Sequence, residues 1–175
     1  MRKVTLYIEC SSTYMRKKLR MTGYVLEYIT ASGVPVTGQA FREGDGTYNQ
    51  EVLLALAEAL GHIKEPCELT ICSSNRFVLN MIRDRLKTWA KQDFTSNGSP
   101  IMFRKEWKDA WEKIKEHKVS TQIGKHSYSG WLLTEMEGKN DKDTENTKRN
   151  KTQGDCPADG GSLPKTQGLP GQLYG

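Results

Sequence analysis

The strongest constraint on this chain is a change of hydrophobic period near residue 45. Val4, Leu6 and Ile8 alternate with Thr5 and Tyr7, the spacing of a strand that lays one face on a core. A second strand is predicted over residues 23–29 and a third over 36–41. Ala31-Ser32-Gly33 supplies the turn between them, and Pro35 stands near the start of the return strand. After Gly44-Asp45-Gly46-Thr47 the spacing lengthens: Leu53, Leu56, Leu60 and Ile63 recur at helical intervals with alanines between them. The chain therefore opens as a three-stranded meander and then turns to helix.

Gly61 and Pro66 stop that helix. Residues 69–72 read as a short buried strand. Ser73 or Ser74 is positioned to cap a following helix whose apolar face carries Val78, Met81, Ile82, Leu86 and Trp89. Strand, helix and strand in that order add a parallel crossover to the meander. Residues 95–100 read as a loop. Trp107, Trp111 and Ile114 mark another helix, Val119, Thr121 and Ile123 a fifth strand, and residues 131–136 a short final helix. The order β-β-β-α-β-α-α-β-α defines an α/β fold, a five-stranded mixed sheet flanked by helices. Apolar content collapses after Gly138, so the expected division is a folded domain over 1–137 and a disordered, low-complexity tail over 138–175.

At 175 residues, one domain can bury a core without staples. A net charge of +5, from 26 Lys and Arg against 21 Asp and Glu, leans mildly toward polyanions. The cysteines at 10, 67, 72 and 156 form no CxxC pair and sit near no histidine cluster; three read as core or edge thiols and Cys156 as a tail residue in a reducing compartment. No run approaches the ~20 apolar residues of a membrane span. The expectation is a cytoplasmic protein with no membrane partner.

Two carboxylates occupy chemically suggestive places. Glu9 ends the first strand and Glu51 opens the first helix, whereas the strand over 69–72 ends in Ser73-Ser74-Asn75. Over about residues 1–136 the chain resembles the ribonuclease H family, of the type with a basic extension between two central helices. Leu6-Tyr7-Ile8-Glu9-Cys10-Ser11 is similar to the family's opening strand, which ends in Asp-Gly-Ser, and Gly23-Tyr24-Val25 to its second strand. Residues 47–60 resemble the Thr-Asn-x-x-x-Glu-Leu helix opening, with the Thr47–Glu51 spacing one residue short. Residues 69–78 resemble the Asp-Ser-Gln-Tyr-Val junction. Asn97-Gly98-Ser99-Pro100, Trp107 and His117 resemble the stretch after the basic extension, and Gly124-Lys125-His126 the Lys-Gly-His before the last helix.

That resemblance implies two divalent cations, Mg2+ or Mn2+, on four carboxylates, cutting the RNA strand of an RNA–DNA hybrid. Position by position, Glu9 stands for the first carboxylate, Glu51 for the second, and Ser74 for the third. Glu135 lies nearest the place of the fourth. His126 stands for the histidine that assists product release. Glu9 is one methylene longer than Asp, and serine brings no negative charge to a hard cation. The metal set would be Glu9, Glu51 and Glu135, with no cofactor if the site is inactive. As nucleic-acid contacts the resemblance and the charge pattern point to Arg16, Lys17, Lys18 and Arg20, to Asn49, and to Arg85, Lys87, Trp89, Lys91, Arg104 and Lys105. Each has a bland counterpart: Glu51 as a first-turn glutamate favoured by the helix dipole, each tryptophan as part of its helix's apolar face, the 16–20 run as a solvated turn. Three functions follow: a degenerate ribonuclease H-like module that binds nucleic acid, an active divergent Mg2+- or Mn2+-dependent ribonuclease, or a protein-interaction domain on the same fold.

Overall fold

A computed structural model describes residues 1–149. The first strand, β1 (Lys3–Cys10), runs antiparallel to β2 (Arg20–Ile29), which pairs with β3 (Pro35–Gly44). Helix α1 (Tyr48–Leu60) follows, then β4 (Glu68–Ser73), parallel to β1 with Leu6 opposite Ile71. After helices α2 (Arg76–Asp84) and α3 (Leu86–Lys91) comes a small hairpin, β5 (Thr95–Ser96) and β6 (Ser99–Pro100). Helix α4 (Arg104–Ile114), strand β7 (Lys118–Ile123) and helix α5 (Ser129–Arg149) complete the order. The main sheet reads β3-β2-β1-β4-β7, with β7 parallel to β4. This is the expected five-stranded mixed sheet, three antiparallel strands continued by parallel ones and flanked by helices.

Alternation on β1 explains the layering. Val4, Leu6 and Ile8 turn to the face on which Leu53, Leu56 and Leu60 of α1 and Trp107 and Ile114 of α4 are buried. Tyr7, pointing the other way, joins Val25 and Met21 of β2 beneath Leu132 and Met136 of α5. β1 is thus buried on one face, partly covered on the other, and paired on both edges. Its C-terminal end, with Glu9, is fixed from four directions.

Several local expectations are corrected. The single helix expected after residue 74 breaks at Arg85, whose φ of −122° leaves the helical range, giving α2 and α3. Its cap is Asn75 rather than Ser73 or Ser74: Val78 N–H donates to Asn75 Oδ1 at 2.8 Å, while Ser73 Oγ accepts from Asn75 N–H at 3.1 Å. The 95–100 loop is a hairpin that turns on Asn97 and Gly98, both with positive φ, as an Asn-Gly pair favours. Helix α5 begins before residue 131 and continues past 138, where the tail was expected to start. The remainder of that expected tail, and Cys156, lie outside the described residues. Cys10, Cys67 and Cys72 are buried. Among the described residues no helix is long and apolar enough to cross a membrane.

Candidate functional site

Glu9 lies where β1 ends, between the start of α2 and the start of α5. Only 6% of its surface is exposed. Three side chains donate to one oxygen, Oε1: Ser129 Oγ at 2.8 Å, Ser74 Oγ at 2.9 Å and His126 Nε2 at 3.1 Å. Tyr128 N–H donates to His126 Nδ1 at 3.2 Å, which places the imidazole proton on Nε2, facing the carboxylate. Burial pushes the Glu9 carboxyl up, but the hydrogen bonds from His126, Ser129 and Ser74 outweigh it and hold the group below its ordinary value. Nearby Tyr48 responds in the opposite sense: burial, and then the charge of Glu9, raise its phenol to about 12.

Glu51 sits one turn into α1 and is equally enclosed, at 3% exposure. Its Oε2 meets Arg42 Nη1 of β3 at 3.2 Å, and its Oε1 accepts from Gly46 N–H at 3.0 Å. Gly44 and Gly46 close on the carboxylate so tightly that a Cβ on either would collide with it. The glycines before α1 are therefore explained by close approach. Thr47 caps the helix, its Oγ1 accepting from Gln50 N–H at 3.2 Å.

The structure brings together Glu9, Ser74 and His126 from the sequence-predicted set, and adds Ser129, which sequence reasoning missed. The only local signal for Ser129 is its place just before the apolar run Trp131-Leu132-Leu133, as a helix-opening serine. Arg42, also missed, lies in the meander nine residues before Glu51. Glu135 does not join them. It is half-buried six residues into α5, roughly 9 Å along the axis from Ser129 and on another side of the helix. Asn49 Oδ1 accepts from Asn75 Nδ2 at 3.0 Å and links the starts of α1 and α2. His117 has its Nδ1 facing Cys67 N–H at 3.2 Å, at the opposite end of β4 from Ser74.

The basic residues divide. Arg20 is corrected from a surface contact to a buried one, 3% exposed, its guanidinium donating to the carbonyls of Ser12 and Arg16 at 2.9 and 2.6 Å. Arg104 is tied to Asp93 at 2.8 Å. Trp89 packs edge-on against the buried Trp107, with ring centroids 5.4 Å apart, and is half-buried against the core. Arg16, Lys17, Lys18, Arg85, Lys87, Lys91 and Lys105 are exposed and form no ion pair among the described residues.

Comparison with known proteins agrees with this topology. The RNase H family model matches residues 1–129. Ribonuclease H of Clostridium botulinum (strain Hall) is 32% identical over 123 residues, covering 68% of this chain and 80% of that protein. Among solved structures, LC9-RNase H1, a type 1 RNase H with the type 2 active-site motif, superposes with a TM-score of 0.62 at 16% identity, over 79% of this chain and 70% of that one. A foamy viral protease–reverse transcriptase in complex with an RNA/DNA hybrid superposes with a TM-score of 0.51 at 14% identity, over 77% of this chain and 19% of that one. The chain belongs to the RNase H family.

The family generally uses Mg2+, and the side chains here can be tested against that use. A pair of hard cations needs several anionic oxygens at close range. Around Glu9 the side chains of Ser74, in the turn before α2, and Ser129, the first residue of α5, are hydroxyls that donate, and Glu51 is already matched by Arg42. Among the described residues no three acidic, histidine or cysteine side chains gather into a set that could hold an ion. This donor set does not fit a two-cation centre.

Proposed function

We propose that this chain is an RNase H-fold module that binds nucleic acid, as RNA–DNA hybrid or duplex, with little or no hydrolysis of it. One observation carries the reading. One oxygen of the carboxylate at the end of β1, Oε1, is taken by Ser74, Ser129 and His126, so hydroxyls occupy the places beside it where cation-assisted cleavage needs acids. Binding does not need those acids. It draws on exposed cations such as Lys87, Lys91 and Lys105 on the helices after β4, whose attraction to phosphate is sequence-independent and falls steeply with salt. That the foamy viral protein of the same fold was captured on an RNA/DNA hybrid supports that ligand class.

A divergent active nuclease is the second reading, favoured by one detail: Glu9 Oε2 makes no hydrogen bond among the described residues and remains open as an acceptor. Incubating labelled hybrid with the protein in Mg2+ and in Mn2+ separates the two. The module reading expects retention of intact hybrid, equally strong in a chelator. Metal-dependent cutting that Glu51→Gln abolishes would overturn it. Absence of hybrid binding at low salt would leave the protein-interaction reading. Restoring acids with Ser74→Asp and Ser129→Asp together is expected to bring divalent-cation binding back to the site, read by paramagnetic broadening from Mn2+.

A further inference from the structure

The segment between β1 and β2 is the least absorbed part of the molecule. Tyr14, Met15 and Leu19 are 55%, 57% and 64% exposed, and are three of the nine large apolar side chains exposed among the described residues. Arg16, Lys17 and Lys18 lie between them, and no acid stands in the loop. The loop is also held in shape. Arg20 reaches back from β2 and grips the carbonyls of Ser12, Arg16 and Lys18 with one guanidinium, at 2.9, 2.6 and 3.4 Å. Lys18 N–H donates to Gly46 O at 3.4 Å, and Gly46 N–H holds Glu51, so one residue joins the loop to the carboxylate site.

Resting on the nucleic-acid reading above, we propose that this loop is a seat for unpaired nucleotides emerging from the duplex at the carboxylate site. Its charge points to a polyanion: Arg16, Lys17 and Lys18 are exposed and form no ion pair among the described residues. Its apolar half selects within that class. A duplex shows mainly phosphate and sugar and would leave Tyr14, Met15 and Leu19 unused. Unpaired bases offer π-faces that stack on aromatic side chains and pack on apolar ones, whatever their sequence. The ligand is therefore a single-stranded extension of a hybrid or duplex. Tyr14 supplies the stacking face, Arg16, Lys17 and Lys18 take the phosphates, and Arg20 acts as the positioning residue that keeps the loop open without touching the ligand.

Fluorescence anisotropy with three probes tests this: a blunt hybrid, the same hybrid with an overhang of about six nucleotides, and the single strand alone. The overhang is expected to tighten binding at least roughly fivefold, the lower range for one stacked base. Tyr14→Ala should remove that gain and leave blunt-hybrid binding unchanged, and Tyr14→Phe should keep it. Replacing Arg16, Lys17 and Lys18 with alanine should flatten the slope of log affinity against log salt by about 2 for the overhang probe. Equal affinity for blunt and overhang probes, or a gain that survives Tyr14→Ala, would overturn the proposal while leaving the hybrid reading intact. Tyr14-dependent binding of the single strand with no binding of any duplex would sink the hybrid reading and keep the loop. Tyr14-dependent sedimentation with phosphatidylserine vesicles, without an overhang gain, would assign the loop to a lipid surface and overturn the proposal.

Discussion

Glu9 and Glu51 are two buried carboxylates at the same end of one sheet, and the protein satisfies them by opposite means. Glu51 is matched by a full positive charge, Arg42, with a backbone N–H beside it. Glu9 meets two hydroxyls and an imidazole N–H, dipoles that carry no formal charge in that state. The first arrangement ties a strand to a helix through one ion pair. The second ties three elements to one oxygen. Glu51 should therefore fail abruptly when its partner is removed, and Glu9 by degrees.

The largest effect is expected for Arg42→Ala, which strands the Glu51 charge against one N–H. Breaking a buried pair from one side is costly, and with Arg42 partly solvated we expect a loss of about 2–3 kcal/mol in urea unfolding. Adding Glu51→Gln should recover part of that loss. A variant as stable as the parent would erase the contrast between the two sites. Next comes Gly44→Ala, whose methyl group would press on the Glu51 carboxylate, for a cost of about 1–3 kcal/mol on the same measurement. Removing one donor from Glu9 is gentler. Ser129→Ala should cost about 1 kcal/mol, and Ser74→Ala less because Ser74 is exposed. Equal and large losses from both serines would mean that Glu9 has no redundancy among its donors.

The smallest effect is a pH dependence. Because the folded Glu9 carboxyl lies below its ordinary value, the native state holds fewer protons there than the unfolded chain does as the pH falls. Its stabilising contribution is complete above the unfolded glutamate pKa of about 4.3 and disappears as the pH drops through the lowered native value. Carboxyl NMR titration should find the Glu9 midpoint on the acid side of exposed glutamates, and Ser129→Ala should move it upward. A midpoint above theirs would show that burial outweighs the three donors.

What the sequence disclosed follows the range of the interactions involved. The meander was legible because a strand with one face on a core must alternate. Helix α1 was legible from its leucine spacing, with Gly61 at its end. The break at Arg85 was not, since neither glycine nor proline marks it. The cap of α2 was ambiguous because Ser73, Ser74 and Asn75 are all capping types; the structure resolves it by sending Ser74 to Glu9 and leaving the cap to Asn75. The site was half legible. Glu9, Glu51, Ser74 and His126 could be placed by resemblance, but Ser129 reaches Glu9 across 120 positions of chain, a separation that no local pattern encodes. The run at 16–20 showed its charge but not its division of labour: three of its cations face outward, and Arg20 organises the loop from within.

Helix α5 gives the molecule an order in time. Its Leu132 and Met136 close the second face of the sheet, and its first residue completes the bonding around Glu9. During synthesis the strand bearing Glu9 is made well before α5, so its carboxylate must wait for the Ser129 hydroxyl. Until α5 docks, Tyr7 and Val25 stay wet and Glu9 stays accessible to water. The closing of the core and the quieting of the site are thus a single late event, and a nascent or truncated chain lacking that helix would present both a greasy sheet face and an unguarded charge to its surroundings.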